Sequence, residues 1–176
     1  MSDAELRARD LVIVAMDYGQ FTLAGGFEAD DLALLAAAQQ HPPSASDGRS
    51  VLVLSPHQNN FAMKVVVELW SDRPPRDETA WDQVSVEPLA VGPTGALRLA
   101  SPTLDDTLCP TPPDEYRVEI SGRGFVNYGW PGSTEPGDEW RLRLWPSSSG
   151  SPGDVRRLWN MPGYGTPWSP IPGSVA

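Results

Sequence analysis

The chain has 176 residues, 40% of them hydrophobic, a length that suits one ordinary domain able to bury about two thirds of its unfolded surface. Its 23 acidic and 13 basic residues give a formal charge of -10, which argues against DNA or an anionic membrane as a direct ligand and speeds the encounter with a basic partner. The 19 Pro and 16 Gly exclude a largely helical protein and signal many turns.

In chain order, Met1 to Asp10 lacks the basic start and apolar run of a secretory signal, and no stretch approaches the ~20 apolar residues that span a bilayer. A cytoplasmic protein without membrane contact is expected. Leu11 to Met16 and Gln20 to Leu23 flank Asp17-Tyr18-Gly19 and read as two short strands or as one strand with a bulge. Glu28 to Gln40 reads as the one helix, with Glu28, Asp30 and Asp31 at its start and His41-Pro42-Pro43 at its end.

From Arg49 onward the period becomes two, the spacing of side chains on alternate faces of a sheet. Val51 to Leu54 is apolar on both faces, as in a central strand. Met63, Val65, Val67 and Leu69 share one face against Lys64, Val66, Glu68 and Trp70, and Pro56 to Asn60 supplies a hairpin-like connection. Alternation recurs at Val84 and Val86, at Leu97 and Leu99 after the turn Pro93-Thr94-Gly95, at Tyr116, Val118 and Ile120, and at Trp140, Leu142 and Leu144. About seven or eight such strands, with no regular helix between them, imply an all-β fold: an antiparallel two-sheet β-sandwich with one short helix near the N-terminus. The sandwich is expected over residues 1–146, and residues 147–176 form a Ser-, Gly-, Pro- and Trp-rich tail in which Val155 to Trp159 could add a short strand.

Catalytic signatures are missing. Only His41 and His57 could serve as an imidazole base, neither lies near a Gly-x-Ser-x-Gly elbow, and both read as surface residues. Cys109, placed in a Pro-rich loop, has no second cysteine to bridge. Gly122-Arg123-Gly124 reads as a turn rather than a phosphate cradle. No ligand set for zinc occurs, and the acid runs Asp72 to Glu78 and Glu135 to Glu139 read as solvated loops rather than calcium sites. No cofactor and no catalysis are expected.

Tryptophan is the unusual feature, with seven copies. Trp70 and Trp145 fall on the charged faces of their strands, where the rings either pack beneath the C-terminal tail or, if exposed, anchor a protein partner or stack on a sugar. The partner-contact residues expected on this basis are Trp70 and Trp145 with the loop acids Asp72, Asp77, Glu78, Glu135, Asp138 and Glu139.

The order of segments also resembles a known family. Asp17-Tyr18-Gly19-Gln20-Phe21-Thr22, Gly48-Arg49-Ser50-Val51 leading to Phe61–Trp70, Val84-Ser85-Val86-Glu87-Pro88-Leu89 with Gly95 to Ser101, and Asp114-Glu115-Tyr116-Arg117-Val118 are similar to the competence protein J family over residues 14–145. These are small bacterial inhibitors of a DNA-entry nuclease. The resemblance implies a cytoplasmic, non-catalytic protein that occludes a nuclease by binding it, and the acidic charge of the chain suits a basic nuclease as that partner. The alternative carried by the tryptophans alone is a carbohydrate or small-ligand module.

Overall fold

The computed structural model describes residues 3–56, 61–125, 138–149 and 158–159. Its strands are β1 (Leu6–Met16), β2 (Gln20–Ala24), β3 (Ser44–Ser46), β4 (Ser50–Leu54), β5 (Phe61–Trp70), β6 (Gln83–Val91), β7 (Ala96–Ala100), β8 (Thr107–Pro110), β9 (Asp114–Arg123), β10 (Glu139–Pro146) and β11 (Leu158–Trp159), with one α-helix, α1 (Asp31–Gln40). They form a six-stranded sheet ordered β1-β5-β10-β9-β6-β11 and a five-stranded sheet ordered β3-β4-β2-β7-β8.

The all-β class with a single helix is as expected, but eleven strands are described rather than seven or eight. Two of the additional ones are short and lack apolar alternation, β3 being Ser-Ala-Ser and β8 ending in Pro at a sheet edge; the third, β11, falls within Val155 to Trp159, where a short strand of the tail was expected. The sheets are also not wholly antiparallel, because β10 pairs parallel with β5 and antiparallel with β9. Since β5 and β9 run in opposite directions, any strand seated between them must lie parallel to one.

Neighbours in sequence are mostly not neighbours in a sheet. β1 and β2 meet only at a tight turn, with Tyr18 at φ 51 and Gly19 at φ 63, and then enter different sheets. Two successive positive φ values are the hairpin-turn geometry that glycine admits without strain. β4 and β5 likewise lie in different sheets, as do β6 and β7, so neither Pro56–Asn60 nor Pro93-Thr94-Gly95 closes a hairpin.

Both sheets feed one apolar cluster, which includes Val14, Phe21, Leu23, Val53, Val65, Leu89, Leu99, Val118, Trp140 and Leu142. Phe21 from one sheet meets Trp140 from the other edge to face, ring centroids 5.1 Å apart. Gly122 makes room for this indole, because a Cβ there would stand 2.7 Å from the Phe125 ring and 2.8 Å from that of Trp140. The helix starts at Asp31, later than expected, because Asp30 is its N-cap and accepts a hydrogen bond from the Ala33 N–H at 3.0 Å. Its Leu34 and Ala38 cover Ala45, Leu52 and Leu54 on the far side of the five-stranded sheet. No described helix is long and apolar enough to cross a membrane.

Candidate functional site

The outer face of the six-stranded sheet bears charges on three central strands. Alternation turns Glu68 of β5, Glu119 of β9, and Arg141 and Arg143 of β10 away from the core, and the register sets Arg143 opposite both Glu68 and Glu119. Residues 71–82, which link β5 to β6, run across this face as a strap that includes a single 3-10 turn at Glu78–Ala80. The strap converts an outward face into a buried one: Arg143 and Glu119 each retain only 3% exposure.

Buried charge is tolerated only when paired and hydrogen-bonded. Arg143 Nη2 lies 2.6 Å and Nε 2.9 Å from Glu119 Oε1, while Nη1 donates to the Pro75 carbonyl at 2.9 Å. Asp77 of the strap completes the network, receiving two 2.7 Å hydrogen bonds from Arg141 and lying 3.0 Å from Arg143 Nη2. The Arg141 hydrogen bond, with the nearby Arg143 charge, holds the Asp77 carboxyl below its ordinary pKa in spite of burial. Trp81 ends the strap, and the guanidinium carbons of Arg123 and Arg141 both sit 4.5 Å from its ring centroid.

Beside Trp81 the strap stops short of the sheet edge. A groove of about 400 Å³ opens there over β1 and β5, lined by Arg9, Leu11, Lys64, Val66 and Glu68, with Trp81, Arg123, Arg141, Asp138 and Glu139 on its other side. Its described lining contains no histidine, cysteine or hydroxyl side chain, so it offers charge, apolar surface and an aromatic wall rather than a nucleophile with its base. Among the described residues no group of three or more His, Cys, Asp or Glu could hold a metal ion.

The residues expected from sequence are distributed unevenly around this site. Trp145 is buried, not exposed: the strap covers it and Arg73 lies 5.9 Å over its ring. Trp70 is half-buried and donates its indole N–H to Glu68 at 3.0 Å. Asp72 is half-buried and accepts the Arg73 N–H at 2.6 Å. Glu78 is buried with Arg76 3.9 Å away, so it is not a solvated loop acid. Asp138 is buried as well, and burial pushes its carboxyl up to about 7 against the lowering effect of the Trp140 indole. Glu139 is exposed and pairs with Arg123 at 2.7 Å. Glu135 lies outside the described residues, as does His57.

Cys109 stands in β8, not in a loop, with its side chain buried and its thiol pushed up to about 11 chiefly by that burial. His41 is the exposed cap residue of α1, its backbone N–H bonded to the Ala37 carbonyl at 3.0 Å. Trp81, Arg123, Lys64 and Leu11 belong to the groove although sequence reasoning passed over them. Arginines at alternate positions of one strand, with Glu119 at an alternate position of another, were the available sign that this face is internally paired.

No protein-family model matches the chain, and no curated protein matches it by sequence. Solved structures with the same fold include ComJ from Bacillus subtilis, an inhibitor of the DNA degrading activity of NucA, with a TM-score of 0.51 and 12% identity over 82% of this chain and 99% of that one. They also include the protein described as crocagin biosynthetic gene J, with a TM-score of 0.53 and 15% identity over 80% of this chain and 99% of the other. The likeness expected from the order of sequence segments is therefore a likeness of fold to ComJ, extending across most of the chain.

Proposed function

We propose that this chain is a non-catalytic cytoplasmic protein that acts by binding another protein, in the manner of a nuclease inhibitor. The observation that carries this reading is the fold shared with ComJ over nearly that whole chain. The formal charge of -10 supports it, because an acidic protein competes with DNA for the basic cleft of a nuclease. Strap acids contribute little to such an encounter, since Asp77 and Glu78 face the chain's own arginines. The surface offered to a basic partner consists of Glu28, Asp30 and Asp31 at the start of α1 and Asp47 in the β3–β4 turn, all exposed. The sugar-binding alternative loses its best platform, because the Trp145 ring lies beneath the strap.

The test is a titration of the purified chain into a basic, sequence-nonspecific DNA-degrading nuclease from the same organism, with plasmid DNA as substrate. Stoichiometric loss of degradation, weakening as salt is raised from 50 to about 300 mM, is the expected result. Undiminished degradation at a large excess of the chain, with no basic nuclease retained on the immobilised protein at low salt, would falsify it.

A further inference from the structure

The strap covers the outer face of the six-stranded sheet over β10 and β9 but leaves the β1–β5 corner open. Solvent-facing positions there are apolar: Leu11 is 62% and Ile13 48% exposed, and Leu11 sits directly opposite the half-buried Val66. The cation beside them is Lys64, opposite Ile13, exposed and without an ion pair among the described residues. Other charges around the groove are spoken for, with Arg9 3.7 Å from Glu68, Arg123 bound to Glu139 and Arg141 bound to Asp77. In a protein of charge -10, this corner therefore combines exposed apolar surface with an uncompensated positive charge.

We propose that the β1–β5 corner, with the groove running from it to Trp81, is a second interaction surface that receives an extended partner segment alternating apolar and acidic side chains. Its apolar side chains rest on Leu11, Ile13 and Val66, and a carboxylate meets Lys64. Period two is the matching spacing, because Leu11 and Ile13 lie one strand repeat of roughly 6.6 Å apart on one face. The segment lies on the face of the sheet and does not extend its edge. The β1 edge is occupied where it meets the other sheet, as the Ile13 carbonyl accepts from Thr107 at 2.5 Å and the Ala15 carbonyl from Ser101 at 2.6 Å.

The test uses the full chain and three blocked, fluorescein-labelled hexapeptides, alternating Glu-Leu, Lys-Leu and Glu-Ser, read by fluorescence polarisation. The Glu-Leu peptide should bind at least ten-fold more tightly than either control, and Lys64→Glu should remove at least ten-fold of that affinity. Leu11→Ser with Ile13→Ser should weaken it several-fold, and since all three positions are exposed, unchanged thermal melting will establish that these variants remain folded. Equal binding of the three peptides, or Glu-Leu binding indifferent to Lys64→Glu, overturns the proposal. Neither outcome depends on nuclease inhibition, which is measured separately.

Discussion

Glu119→Gln isolates the charge of the buried network while conserving volume. Glu119 has two close contacts from Arg143, at 2.6 and 2.9 Å, a longer one from Arg141 at 3.4 Å and a hydrogen bond from Ser121 at 3.2 Å. With the carboxylate gone, Arg143 remains buried at 3% exposure and must share Asp77 with Arg141. Removing one member of a buried pair costs about 3–5 kcal/mol, most of it the stranded partner. Because Asp77 still neutralises part of the charge, the lower end applies, about 3 kcal/mol, which for a chain of this size lowers Tm by roughly 6–12 °C. Urea unfolding followed by tryptophan fluorescence measures it. The double variant Glu119→Gln with Arg143→Met should recover at least half the loss, since an apolar side chain of similar length leaves no buried cation. Were the single variant within about 0.5 kcal/mol of the parent, or the double variant no better than the single, the network would not be buried as described.

Asp138 supplies a pH dependence of opposite sign to the usual carboxylate. Its folded pKa, raised from 3.8 to about 7, means that the folded state holds a proton which the unfolded state releases, so its contribution is fully present below about 4 and is lost as pH climbs through about 7. Asp138→Asn should therefore flatten the fall in stability between those pH values, and an unchanged profile by chemical denaturation would refute the assignment. Cys109 should resist thiol reagents at pH 8 in the native protein and react fully in 6 M guanidinium, whereas rapid native labelling would contradict its burial and its raised pKa. Gly122→Ala should destabilise by about 1–3 kcal/mol through overpacking against Trp140 and Phe125, seen as a lower denaturation midpoint with unchanged slope.

Alternation along β5, β7, β9 and β10 made the core-facing stripe of each strand legible, since period two is a property of one strand alone, whereas in β6 Val84 and Val86 share the outer face with Glu119 and the core takes Leu89 and Val91. It said nothing about partners. Which strands pair is decided by where the chain crosses between layers, and Pro56, Pro93 and the Tyr18-Gly19 turn read as hairpin signals whether the next strand stays in the sheet or leaves it. The same limit misplaced Trp145: its position on the charged face was right, but the cover came from residues 71–82, some 70 positions earlier in sequence. Acids in a loop look solvated until the arginines of a distant strand are set against them. That is how Asp77 became part of an ion network, while Glu139 stayed in solvent with its pair.

Internal pairing at the strap has a consequence for how the chain would meet a partner. Charge neutralised between Asp77, Glu119, Arg141 and Arg143 cannot contribute to the long-range field, so the negative excess must reside elsewhere. Exposed Glu28, Asp30, Asp31 and Asp47 lie with α1 and the β3–β4 turn on the far side of the five-stranded sheet, separated from the β1–β5 corner by both layers and the core between them. A basic partner and an acidic, apolar segment would then be drawn to opposite sides of one small molecule and need not exclude each other. Saturating the chain with the Glu-Leu hexapeptide should leave the nuclease titration unchanged, while Asp30→Lys with Asp31→Lys should weaken inhibition at least ten-fold without altering peptide affinity. Competition between the two ligands would mean that they share one face, and the separation of charge between the two layers would not govern recognition.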